Sequence, residues 1–77
     1  MNNPFCGKSV AVTGKMDNYT RDGIQTRLRE LGAKPVSKVS KRTDHLILGA
    51  RPGNKLVKAL ELGIIILSEQ EFEDMNS

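Results

Sequence analysis

From Ser9 to Thr13 the chain alternates small residues with valine, S-V-A-V-T, the two-residue period of a β-strand. The polar stretch GKMDNY then reads as a loop. Thr20 follows where a helix N-cap belongs, and Asp22 lies where a carboxylate favours a helix N-terminus. Ile24, Leu28 and Leu31 fall at i, i+4 and i+7, one buried helical stripe, with Gln25, Arg27, Arg29 and Glu30 expected to face water and Gly32 to end the helix. KPVSKVS predicts a weak strand that lies at a sheet edge or begins at Pro35, which cannot donate to a ladder. KRTDH reads as a polar turn, and HLILG as a short continuous apolar strand covered on both faces. After the loop ARPG, Asn54 is expected to cap a second helix with Leu56, Ala59 and Leu60 inward and Gly63 ending it. IIIL predicts another strand buried on both faces. Ser68 and Glu71 form a capping box for a last helix carrying Phe72 and Met75.

The order β-α-β-β-α-β-α, with continuous apolar strands, predicts an α/β fold: a mostly parallel sheet with helices on both faces, joined by right-handed crossovers. At 77 residues one domain is expected over 1–77, with a core of about 5–75. Apolar residues make up 38% and charged residues 27%, a globular rather than a disordered balance. No apolar run approaches membrane-spanning length, and MNNPFCGK lacks the apolar stretch of a signal peptide. Cys6 is the single cysteine, so no internal disulfide can form; it is expected to be a small packing residue in a protein of a reducing, intracellular setting.

Charge sharpens the picture. Residues 1–58 hold all twelve Lys and Arg against four acids, a net +8, whereas residues 59–77 hold five acids and neither Lys nor Arg, a net −5. Such segregation points to a basic face for a phosphate-rich partner, with the acidic last helix turned away from it.

In an open parallel sheet, ligands gather outside the carboxyl ends of the strands. Thr13 and Gly14 end the first strand there, Arg21 opens the first helix, and Asn54 and Lys55 open the second. A hydroxyl, an approachable glycine N–H, two helix N-termini and several cations at one edge suit a phosphate. The same residues also fit a plain strand-to-helix turn with a lysine decorating a helix, and spacing alone leaves both readings open. GKS at 7–9 does not make a P-loop: Asn2 stands where the first glycine is required, and the triplet precedes a strand. GARPG has no GxGxxG pattern. His45 has no Cys or carboxylate at ligand spacing and is expected to be a strand-edge residue. Asp22 and Asp44 form no paired-carboxylate or Ser-His arrangement, so no catalytic, metal or cofactor site is expected.

The stretches FCGKSVAVTGKM, TRDGIQTRLRELGAK, VSKRTDHLILG, PGNKLVKALELGIIIL and SEQEFEDM together resemble a BRCT domain over residues 5–75. The run from Val39 to Leu67 is most similar to the C-terminal BRCT domain of bacterial NAD-dependent DNA ligases, and also resembles that of the replication factor C large subunit. The resemblance implies a three-layer α/β fold whose four-stranded parallel sheet has the order 2-1-3-4, with helices 1 and 3 on one face and helix 2 on the other. It implies a phosphate pocket of Thr13, Gly14 and Lys55, with Arg21 added as in members that grip a 5′-phosphorylated DNA end. Phe72 stands in place of the family's frequent Trp, Gly32-Ala33 in place of Gly-Gly, and Pro35 interrupts strand 2. A single domain also lacks the second-repeat groove with which tandem members read phosphopeptides. The expected role is a non-catalytic DNA-binding module of replication or repair, acting at phosphate-bearing ends or nicks, in the bacterial cytoplasm and at the nucleoid. Any nucleotidyl chemistry would lie elsewhere in a parent ligase. Lys15, Lys38, Lys41 and Arg42 are expected to track the DNA backbone. The alternative is a module that docks a repair or replication protein.

Overall fold

The computed structural model describes residues 4–76. The outer ends of the expected domain, residues 1–3 and 77, and with them Asn2, lie outside the described residues. The elements are β1 (Ser9–Thr13), α1 (Arg21–Glu30), β2 (Lys34–Val36), β3 (His45–Leu48), α2 (Asn54–Leu62), β4 (Ile65–Ser68) and α3 (Glu69–Asn76). The four strands form one sheet in the order β2-β1-β3-β4, and every pairing is parallel. The expected class, strand order and edge position of Pro35 are therefore those of the molecule.

Alternation along the strands builds two cores. Val10 and Ile47 point to the face covered by Ile24 and Leu28 of α1 and Phe72 of α3, closed below by Phe5. Ala11 and Leu46 point to the other face, where Ala59 of α2 packs with Leu56 and Leu62 beside it. A sheet buried on both sides by helices gives a 77-residue chain three layers to share its apolar area.

The caps follow local chemistry. Thr20 Oγ1 accepts the Gly23 N–H at 2.9 Å. The Ser68–Glu71 capping box is complete: the Ser68 N–H donates to Glu71 Oε1 at 2.9 Å, and the Glu71 N–H donates to Ser68 Oγ at 3.0 Å.

Several expectations are corrected. Gly53, not Asn54, is the N-cap of α2, and no side chain caps it. The Gly53 N–H is instead held by Thr13 Oγ1, which fixes where the chain turns. Leu60 is 66% exposed. Successive helical residues point about 100° apart, so once Ala59 faces the sheet its neighbour Leu60 looks sideways. Ile65 is 57% exposed because β4 is an edge strand, paired only with β3. Regular β2 pairing stops at Val36, since the chain next forms a turn in which Thr43 Oγ1 donates to the Lys38 carbonyl and accepts the Ser40 N–H. Cys6 is exposed; its neighbour Phe5 is the packing residue. His45 is buried, because β3 is an interior strand and Phe5 covers the ring, centroid to centroid at 5.3 Å. Arg27 does not simply face water: its guanidinium donates to Asn76 Oδ1 at 2.9 Å, tying α1 to α3. Among the described residues, no helix is long and apolar enough to cross a membrane, and no group of three His, Cys, Asp or Glu is placed to hold a metal ion.

Candidate functional site

At the carboxyl end of β1 the chain must leave the sheet, and two glycines let it do so against another loop. Gly14 has φ +81°, and a Cβ there would lie 2.6 Å from the Ala50 carbonyl oxygen. Gly49 meets the Lys15 carbonyl as closely from the other side. Free of side chains, the two turns zip together: Lys15 N–H to Ala50 O and Ala50 N–H to Lys15 O, each 2.8 Å. Gly14 is thus required by backbone geometry, whatever else binds there.

Thr13 lies just behind this zipper. Its Oγ1 accepts the Gly53 N–H at 3.1 Å, which leaves its own O–H free to donate. Lys55, on the first turn of α2, reaches over the sheet edge and donates to the Val12 carbonyl at 3.0 Å. One of its three N–H donors is so committed, and two remain. Val12, Thr13, Gly53 and Lys55 are therefore one hydrogen-bonded cluster joining β1 to the start of α2.

A concavity of about 1040 Å³ opens above this cluster, lined by Thr13, Gly14, Lys15, Arg21 and Lys55 among others. Four of the expected site residues, Thr13, Gly14, Arg21 and Lys55, thus share one wall system with Lys15. Lys38, Lys41 and Arg42 do not line it. They lie on the β2–β3 connection, which descends to the amino end of β3, where Asp44 Oδ2 accepts the Ser9 N–H. Arg51 also lines the concavity and was not singled out in the sequence. It takes a left-handed conformation, φ 53°, the single non-glycine residue to do so among those described. Its signal was the loop ARPG, which leads from β3 to α2 at the same edge. Lys15, Arg21, Arg51 and Lys55 bring four cations to the concavity against one carboxylate, Asp17.

The loop from β1 to α1 rests on α3. The hydroxyl of Tyr19 is bonded to Glu73, and burial, this bond and the Glu73 charge push the phenol up to about 12. Glu69 holds the two residues before Tyr19 by their backbone amides. Neither link carries a sequence-local signature.

A parallel 2-1-3-4 sheet under two helices on one face and one on the other, with a concavity at its carboxyl edge, defines the class of the molecule. The family model for the BRCA1 C Terminus (BRCT) domain matches residues 2–76, and the chain belongs to this family. It is 49% identical over 72 residues to a DNA ligase of Clostridium botulinum (strain Kyoto / Type A2), covering 94% of this chain and 11% of that protein. It is 52% identical over 75 residues to a DNA ligase of Clostridium perfringens (strain SM101 / Type A), covering 97% of this chain and 11% of that protein. The chain thus spans about a tenth of the length of these relatives.

Proposed function

We propose that the chain is a non-catalytic DNA-binding module of a DNA ligase, gripping phosphate at 5′-phosphorylated ends or nicks. One observation carries this reading: a single concavity at the carboxyl edge of the sheet gathers Thr13, Gly14, Lys15, Arg21 and Lys55. The Thr13 hydroxyl and the glycine backbone would donate to phosphate oxygens, and Lys55 and Arg21 would add charge-assisted hydrogen bonds. Lys15 and Arg51 would hold the adjoining strand, with Lys38, Lys41 and Arg42 contributing only diffuse attraction from outside the concavity. The similarity to ligases supports the setting: a bacterial cytoplasmic enzyme whose nucleotidyl chemistry resides in other parts of the protein. No cofactor or metal takes part.

A second reading has its own observation. Val57 and Leu60 are exposed on α2, and Ile65 is exposed at the sheet edge. These suit docking of a replication or repair protein. Amide shifts on titrating a short duplex separate the two. The DNA reading expects shifts at residues 13–21 and 51–55, weakening steeply as salt rises. Shifts confined to Val57, Leu60 and Ile65, or none at all, would favour docking.

A further inference from the structure

Helix α3 brings four acids and no cation, yet it reaches the candidate site. Glu69, its first residue, accepts the Asp17 N–H on Oε1 and the Asn18 N–H on Oε2, each at 2.7 Å. Both carboxylate oxygens are engaged by successive amides about fifty residues earlier in the chain. Such bonds are short because the acceptor is ionised, and consecutive N–H groups form a concavity suited to an anion. The next residue is held by the same helix. The Tyr19 ring packs on Phe72, centroids 6.1 Å apart, and its hydroxyl is bonded to Glu73. Asp17, Asn18 and Tyr19 all line the concavity, between the Gly14 turn and Arg21 at the start of α1. This arc belongs to no helix or strand, and its ordering must be supplied by contacts from elsewhere.

We propose that Glu69 is a positioning residue of the phosphate site. Its carboxylate fixes the arc from Asp17 to Tyr19, and through it the entry of α1 and the placement of Arg21 over the concavity. The inference rests on the phosphate-binding reading. It assigns to the acidic helix a constructive part, where charge alone assigns it only repulsion. The two contributions have opposite signs, so they can be separated. Removing a negative charge from α3 should, by electrostatics alone, tighten DNA binding. Removing the clasp should loosen it.

The test compares Glu69→Gln with Glu71→Gln, which makes the same charge change on the same helix within the capping box, where Gln also serves. Duplex carrying a 5′-phosphate is titrated into each 77-residue chain at fixed salt, and amide spectra and thermal melts are recorded alongside. Glu69→Gln should remain folded, move the Asp17 and Asn18 amide protons upfield, speed their exchange, and weaken binding roughly tenfold, as for one charge-assisted hydrogen bond lost. Glu71→Gln should bind as tightly as the unsubstituted chain or slightly tighter. Equal affinity of Glu69→Gln and Glu71→Gln overturns the proposal, whether or not the two amides move. Absence of binding by the unsubstituted chain fails the phosphate reading itself, a result distinct from binding that survives Glu69→Gln.

Discussion

The ammonium of Lys55 donates to the carbonyl oxygen of Val12 across 3.0 Å, and the sheet explains why. Along β1, the Ser9 and Thr13 carbonyls accept from the β3 side, from Asp44 and Gly49, whereas the Lys8 carbonyl accepts from Lys34 on the β2 side. With a period of two, the Val12 carbonyl faces β2. But β2 ends at Val36, opposite Ala11, so no strand amide meets Val12. Lys55 supplies the missing donor. The residue expected to bind phosphate therefore also completes the fold.

A stability cost follows for Lys55→Met, which keeps much of the aliphatic stem and removes the donor. A stranded acceptor at this partly covered place should cost about 1–2 kcal/mol in urea melts. An unchanged melt would mean that water serves Val12 equally well.

Gly14→Ala should cost more than about 1 kcal/mol, since a side chain is strained at φ +81° and its Cβ would meet the Ala50 carbonyl. The loss should appear as a lower thermal midpoint without any ligand present. A neutral outcome would require the zipper of Lys15 and Ala50 to be looser than its 2.8 Å bonds indicate.

Leu28 and Leu60 are both helical leucines, but Leu28 is fully buried and Leu60 is 66% exposed. Leu28→Ala should cost about 2–5 kcal/mol, which in so small a domain approaches total stability. Leu60→Ala should change stability by less than about 0.5 kcal/mol. Similar losses at both positions would place α2 wrongly on the sheet.

Burial holds the His45 imidazole below its usual value of 6.5, with Asp44 opposing and Lys8 assisting. The ring therefore protonates less readily in the folded chain than in the unfolded one. Stability is therefore fully present above about pH 7 and declines as pH falls below 6.5 toward the lowered value. Tyr19 acts at the other end: its phenol, raised to about 12, costs stability as pH rises from 10. Urea midpoints at about pH 7.5 and 5.5 check the acid side. His45→Leu should flatten that interval, and a midpoint that is already flat would contradict the burial of the ring.

The layers were legible because their signals are local or periodic. Ile24 and Leu28 share a helical face, Val10 and Ala11 alternate, and Thr20 and the Ser68–Glu71 pair cap by hydrogen bonds spanning three residues. The basic wall was legible in part, since parallel topology alone sends Thr13, Arg21 and Lys55 to one edge. Pairings across the chain were not. Nothing near Glu69 in sequence announces the amides of Asp17 and Asn18, and nothing near Lys55 announces the end of β2. Leu60 and Ile65 misled because an apolar residue reads as buried when the width of the covering layer is unknown. His45 misled in another way: a lone histidine reads as a strand-edge residue until Phe5 is seen to cover its ring.

The central claim is that the concavity grips a terminal phosphate. Its most direct test is the dissociation constant at fixed salt for two duplexes identical except for one 5′-phosphate, measured with the unsubstituted chain and with Arg21→Ala. The account predicts binding about tenfold tighter to the phosphorylated duplex, the worth of one charge-assisted hydrogen bond, and a preference largely erased by Arg21→Ala. Equal affinity of the unsubstituted chain for both duplexes would contradict it, leaving only a basic surface.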